Sequence, residues 1–261
     1  MFRFWTTLAV VAALHCGSSA LAAEDADEDA APDKIKVLLM TGQHNHKWEE
    51  TTPVMVEWLE GAGVFDVSVN KEPWNLKAGD FAPCDVIVSN WSVWPNIEND
   101  PWNAETKAAF EKFMSEGGGL VVVHAGSSIH YQWPEFQKMI GATWAKGVTG
   151  HGPQHEFEVK FTCEHPITKG MKPYKVKDEL WHKMVRAKSV DVQVLATAFS
   201  AKENRGSGAD EPMLMTMKYG KGRCVNLVLG HDAKSMSCPN FGKLLTRSVQ
   251  WAATADVALR Q

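Results

Sequence analysis

Apolar and polar positions follow two different periods along this chain. In the first half, short apolar-rich runs alternate with stretches at helical spacing. Ile35 to Met40 is the first run and ends at Thr41-Gly42; Phe65 to Val69, Asp85 to Ser89 and Leu120 to Val123 follow. Runs that are continuous and β-branched are expected of strands covered on both faces. Between them, Trp48 to Gly61 places Val54, Trp58 and Leu59 at helical spacing. Asn103 to Met114 likewise offers Ala104, Ala108, Phe110 and Phe113 to a buried face, and Gly117-Gly118-Gly119 supplies an easy left-handed cap. Pro134 to Ile140 reads as a short helix.

The second half is less regular. His155 to Lys160 alternates cleanly, as a half-exposed strand should. Val190 to Ala196 is a further strand. Met213 to Lys218 and Arg223 to Leu229 flank Gly220-Lys221-Gly222 and predict a hairpin. Asn240 to Ala252 closes the domain as a helix that buries Phe241, Leu244, Leu245, Val249 and Trp251. Strand–helix alternation followed by a hairpin predicts an α/β fold: a three-layer sandwich around a mostly parallel mixed sheet.

The ends of the chain carry other signals. Arg3, the uncharged apolar run Trp5 to Leu14 and the small residues Ser18 to Ala23 have the layout of a secretory signal over residues 1–23. Cleavage is expected near Ala22 or Ala23, with export to the periplasm or the extracellular space. Cys16 would suit lipid attachment, but His15 stands where a lipoprotein signal wants a small residue. Residues 24–34 are acidic, lack aromatic and β-branched side chains, and read as a disordered leader. The folded domain is then 35–255, about 220 residues and enough for one core, with a short tail at 256–261.

No later segment is long and apolar enough to span a bilayer. The formal net charge is -4 with no basic block, which argues against nucleic acid or anionic membrane as a partner. Cys84, Cys163, Cys224 and Cys238 form no disulfide framework and no CxxC pair.

Ligands of open parallel sheets bind beyond the carboxyl ends of the strands, so the polar residues there carry the functional information. The first strand leads to Gln43-His44-Asn45-His46, and the third to Asn90-Trp91 with Trp94 beyond. The fourth leads to His124, Ser127, Ser128 and His130, and the last to Gly230-His231-Asp232. Histidine therefore arrives at one sheet edge from three strands. His44 and His46 read as a solvated pair or as metal ligands, and His124 as a core histidine or a site residue. His151-Gly152-Pro153-Gln154-His155 caps a loop or contributes directly. In Asp178-Glu179-Leu180-Trp181-His182, a helical turn would put Glu179 and His182 on one side, as a surface ion pair or as metal ligands. The chain also has 11 tryptophans, and Trp91, Trp94, Trp102, Trp133, Trp144 and Trp181 fall in or beside the loops at that edge. Flat aromatic faces beside polar groups suit sugar rings.

Several motifs in order carry a family resemblance: His165-Pro166-Ile167-Thr168-Lys169-Gly170-Met171, Asp178-Glu179-Leu180-Trp181-His182, Tyr219-Gly220-Lys221-Gly222-Arg223, Leu229-Gly230-His231-Asp232 and Arg247-Ser248-Val249-Gln250-Trp251. On these the chain resembles the ThuA-like (trehalose utilisation) proteins, which are similar in fold to class I glutamine amidotransferases with their flavodoxin-like core. The resemblance implies carbohydrate metabolism, on disaccharides or oxidised (keto) sugars. It also exposes a difference. The amidotransferase elbow carries a nucleophilic cysteine, whereas the turn here reads Val123-His124-Ala125-Gly126-Ser127. Thiolate-based glutamine hydrolysis is not expected, and Ser127 and Ser128 lack a G-x-S-x-G setting.

The resulting expectation is an exported sugar-active enzyme, a hydrolase or lyase without a cysteine nucleophile, with a small carbohydrate as its ligand. His124, His231, Asp232 and Glu179 are the expected catalytic groups, and His44, Asn90, Trp91, Trp94 and Trp181 the expected sugar-binding ones. A divalent metal such as zinc, where one assists, would be held by His44, His46, His124 and His182. The alternatives are a non-catalytic carbohydrate-binding protein on the same scaffold and a protein-interaction domain.

Overall fold

The computed structural model describes residues 33–43 and 45–258. The expected signal segment, nearly all of the acidic leader, His44 and the last three residues of the tail lie outside the described residues. The front half follows the expected alternation: β1 (Ile35–Met40), α1 (Trp48–Gly61), β2 (Phe65–Asn70), β3 (Val86–Ser89), α2 (Ala104–Glu116) and β4 (Gly119–Val123). After α3 (Pro134–Ile140) come the two-residue strands β5 (Ala142–Thr143) and β6 (Gly150–His151), then β7 (His155–Phe161) and β8 (Tyr174–Asp178). Two more short strands, β9 (Trp181–His182) and β10 (Val185–Arg186), precede β11 (Gln193–Phe199), β12 (Asp210–Tyr219) and β13 (Gly222–Leu227). The short α4 (Ala233–Met236) and the long α5 (Pro239–Thr254) close the domain.

The nine-stranded sheet has the order β2-β1-β3-β4-β13-β12-β11-β7-β8. The strands from β2 to β13 run parallel, and β12, β11, β7 and β8 extend the sheet antiparallel. Every residue of β3 and β4 is buried, as their unbroken apolar runs require. Right-handed crossovers to the two sides of β1 and β3 put α1 and α2 on opposite faces. Consistent with this, α5 closes on α1 where Gly242 meets the ring of Trp58, while Phe110 of α2 packs against Phe136 of α3. The result is the three-layer α/β sandwich expected.

Two local expectations change. The segment 178–182 is not a helical turn: Asp178 ends β8 opposite His155 of β7, and Trp181 and His182 pair with His151 and Gly150. Tyr174–Asp178 alternates in burial, and a neighbouring strand supplies its backbone partners, so tertiary pairing outweighs the local three-residue spacing. The strand expected at Val190 to Ala196 begins at Gln193, where β12 first offers it a partner.

One polar network lies inside the aromatic layer. His130 is buried among Trp102, Trp133 and Phe136, and its Nδ1 donates to Asp100 Oδ1 at 3.0 Å. Burial would raise the Asp100 carboxyl, but hydrogen bonds from His130 and Lys107 outweigh it and hold the group down at about 2. A carboxylate lowered on folding stabilises above its unfolded pKa near 3.9, and that stability is lost as pH falls toward the folded value. Asp100→Asn is therefore expected to cost about 2 kcal/mol at neutral pH, a deficit that shrinks between about pH 5 and pH 2. Denaturant titrations across that range check it; parent and variant curves that stay parallel would contradict it.

Candidate active site

The carboxyl edge of the parallel strands gathers the site. His46 lies in the loop after β1, His124 directly follows β4, and His231 follows β13. Each strand end is made to turn sharply there. His124 itself takes a positive φ of 37°, a strained setting for a residue with a side chain. Two residues on, Gly126 passes so close to Ser89 that a Cβ would lie 2.3 Å from its carbonyl oxygen. Gly230 has φ 104°, and a Cβ there would meet the ring of Phe241 at 2.7 Å.

Asp178 ties the last of these turns to β8. It is 1 % exposed, and its carboxylate accepts from the backbone N–H groups of Gly230 at 2.7 Å, Glu179 at 2.8 Å and His231 at 3.1 Å. Burial pushes its pKa up, against the donors and the nearby His124 that favour the charged form. Asp178 thus fixes the backbone on both sides of the site. Its neighbour Glu179 turns into the cluster.

Glu179 is the hub. Its Oε1 lies 2.8 Å from His151 Nδ1, and its Oε2 accepts the indole N–H of Trp181 at 2.8 Å. The same Oε2 stands 3.3 Å from His231 Nδ1 and 3.7 Å from His124 Nε2. Burial alone would raise the Glu179 carboxyl; the imidazoles of His124, His151 and His231 outweigh it and hold the group far below the usual carboxylate range. The hydrogen bond to Glu179 in turn raises His151, and for His231 the same carboxylate overcomes an opposing burial effect. His124 Nδ1 faces the Val228 carbonyl at 2.7 Å, and its ring packs on Trp181 with centroids 4.1 Å apart. The His46 ring lies edge-on to both His124 and His231, at 5.0 and 4.7 Å.

A cavity of about 470 Å³ opens above this cluster. Trp94, Trp144 and Trp181 supply aromatic wall, and Ser128, Gln154 and Asp232 supply polar edge. Asp232 caps α4, accepting from Ser235 N at 2.8 Å, and also accepts from Gln154 Nε2 at 2.9 Å. Burial raises it, but these hydrogen bonds prevail and its pKa is lowered.

The structure thus brings together His124, Glu179, His231 and Asp232 from the expected catalytic set, and Trp94 and Trp181 from the expected sugar-binding set. Two others do not reach the cavity. Asn90 is buried against Thr51, and Trp91 is buried between Trp74 and Trp102. Of the expected metal set, His46 and His124 converge, His44 lies outside the described residues, and His182 stands apart beside Gly150. Glu179 and His231 stand beside His46 and His124 in its place. Asp178 is a site residue that the sequence did not assign, and His151, left there between a loop cap and a direct role, joins the cluster through Glu179. His151 reaches Glu179 only because β6 pairs with β9, and nothing local announces that contact. Among the described residues no cysteine lines the cavity, and burial inside β13 pushes the Cys224 thiol up.

The family model described as ThuA, trehalose utilisation, matches residues 36–252. Among solved structures, a ThuA-like protein from Parabacteroides merdae ATCC 43184 is 31% identical with a TM-score of 0.78, covering 88% of this chain and 93% of its own. A ThuA-like protein from Bacteroides uniformis ATCC 8492 is 20% identical with a TM-score of 0.65, over 88% and 96% of the two chains, and shows the fold alone. So does a cytoplasmic protein from Salmonella typhimurium LT2, at 16% identity and TM-score 0.61 over 84% and 99%. No curated protein matches. These ThuA-like neighbours share the glutamine amidotransferase-like fold expected from the sequence.

Proposed function

This chain belongs to the ThuA (trehalose utilisation) family, and from that premise we propose that it is an exported sugar-active enzyme. It cleaves a disaccharide, glycoside or keto-sugar by histidine and carboxylate chemistry. The observation that carries this reading is the cavity itself, in which a carboxylate surrounded by imidazoles forms the floor and tryptophans form the wall. Its volume of about 470 Å³ suits a ligand of one or two sugar rings.

The charge states narrow the reaction. Glycoside hydrolysis by a carboxylate pair needs one carboxyl that keeps its proton. Glu179 and Asp232 are both held in the ionised form, so neither serves as that acid. The proton carriers are imidazoles, and His151, half-exposed to the cavity and raised by Glu179, is the one placed to meet a leaving group. An imidazole base with a pKa near 6.5 does not deprotonate an unactivated sugar carbon. A ketone beside that carbon acidifies its C–H bond, so keto-sugars fit this site better than their parents. Elimination would then remove the α proton, form the enolate, and expel the β-oxygen substituent as an alcohol once protonated. No oxidant is needed, because the substrate arrives oxidised.

Incubation with a panel of disaccharides and their 3-keto forms tests the proposal. Release of the leaving sugar from a keto form is the expected result. No turnover and no binding across the panel would overturn it. Sugar binding without turnover, undiminished in His124→Ala and His231→Ala, would instead establish a binding protein. Export rests on the pattern of residues 1–23, and N-terminal sequencing of the protein recovered from the producing cells checks it. A chain beginning near Ala22 or Ala23 is expected, and an intact Met1 would overturn export. No helix among the described residues is long and apolar enough to cross a membrane.

A further inference from the structure

The cluster on the cavity floor has a second property, independent of any sugar. One donor atom from each of His46, His124, Glu179 and His231 lies within 4.8 Å of all the others. We propose that these four side chains hold a divalent first-row transition metal ion, bound by three imidazole nitrogens and the Glu179 carboxylate.

The tautomer of His124 points this way first. A backbone carbonyl can only accept, so the contact to Val228 O at 2.7 Å places the proton on Nδ1. In its neutral form, His124 turns the lone pair of Nε2 inward. That atom is buried and has no hydrogen-bond partner among the described groups, while a carboxylate oxygen stands 3.7 Å away. A bare lone pair facing an anion across a gap too long for a hydrogen bond is unfavourable unless a cation lies between them. His231 brings a second imidazole nitrogen to the same oxygen, its buried Nδ1 standing 3.3 Å away.

The spacing fits as well. Donors about 2.1 Å from an ion and tetrahedrally disposed are roughly 3.4 Å apart. The 3.3 and 3.7 Å separations bracket that edge, and the widest pair needs only to draw inward. Supporting contacts of the usual kind are already present. Val228 orients His124, Trp181 donates to Glu179 Oε2, and Asp178 anchors the backbone of both Glu179 and His231. Three imidazoles and one carboxylate favour zinc, manganese, iron, cobalt or nickel over calcium or magnesium, which take all-oxygen shells. With the ion in place, His151 is left outside the ligand set and keeps its face toward the cavity.

This differs from the set expected from sequence, and the difference supplies the test. The purified chain is stripped with chelator, reloaded separately with Zn²⁺, Mn²⁺, Fe²⁺, Co²⁺ and Ni²⁺, and its metal content measured. About one ion per chain is expected for at least one metal, with a visible Co²⁺ absorption and a rise in Tm on reloading. His231→Ala and Glu179→Gln should weaken binding by at least about tenfold, whereas His182→Ala should leave it unchanged. Glu179→Gln keeps the shape of the side chain, so its result stands even where the histidine variant folds poorly. Less than about a tenth of an ion per chain for every metal, with no Co²⁺ spectrum and no Tm response, would overturn the proposal. So would metal loss in His182→Ala with full retention in the other two. Metal content is read without any sugar, so a bound ion with no sugar turnover would defeat only the enzymatic reading.

Discussion

Replacing Glu179 by glutamine is expected to lower kcat/KM on the accepted sugar by about 100-fold or more, with the fold retained. The substitution keeps the shape of the side chain and removes the charge around which the site is arranged. Both carboxylate oxygens are engaged by N–H groups, Oε1 by His151 and Oε2 by Trp181, each at 2.8 Å. An amide offers one acceptor oxygen and one NH₂ group. The Trp181 indole can only donate, so the amide oxygen settles there and the NH₂ group faces His151. That NH₂ group then meets the Nδ1–H that His151 also turns to the Gly152 carbonyl at 2.8 Å, donor against donor. His124 and His231 lose their shared anionic neighbour in the same step. A 100-fold loss corresponds to about 2.7 kcal/mol of transition-state stabilisation, ordinary for one electrostatic group in a closed site. Steady-state kinetics with far-UV circular dichroism and Tm provide the measurement. Activity within about threefold of the parent would remove Glu179 from the chemistry.

What could be read from the sequence has a physical boundary. The apolar runs 37–40, 86–88 and 120–123 place strands because a strand buried on both faces must be continuously apolar. From parallel strands it also follows that His46, His124 and His231 emerge at one edge, since chain direction alone determines it. Which side chains turn toward one another beyond that edge is set by loop packing, and loops carry no period. Trp91 and Trp94 look alike in sequence, yet one lies buried against Trp74 and Trp102 and the other lines the cavity. Glu179 and His182 look like partners at a helical spacing, but β8 ends just before Glu179 and the β9 bridge carries His182 away. The His151–Glu179 contact joins residues brought together only where β6 pairs with β9 in the folded chain.

Asp178→Ala is expected to destabilise the domain by about 3 kcal/mol or more. Three backbone N–H groups, those of Glu179, Gly230 and His231, lose their acceptor in this variant. Their surroundings are too closed for easy replacement: Asp178 is 1 % exposed, and Gly230 sits against Phe241 and Met236. Each unsatisfied buried donor costs about 1–3 kcal/mol, and relaxation of the turn recovers part of the sum. For a domain of this size the loss corresponds to a Tm lower by roughly 10 °C. Asp178→Asn keeps one acceptor oxygen but sets an NH₂ group against N–H donors, so an intermediate loss of stability is expected. Its activity should fall further than its stability. Even far below its Tm, kcat should drop, because the backbone that aims His231 and Glu179 at each other is no longer held on both sides. Thermal unfolding of both variants, with kcat measured well below each Tm, separates these effects. An alanine variant within about 1 kcal/mol of the parent would mean that the turn finds other acceptors, and that Asp178 does not build the site.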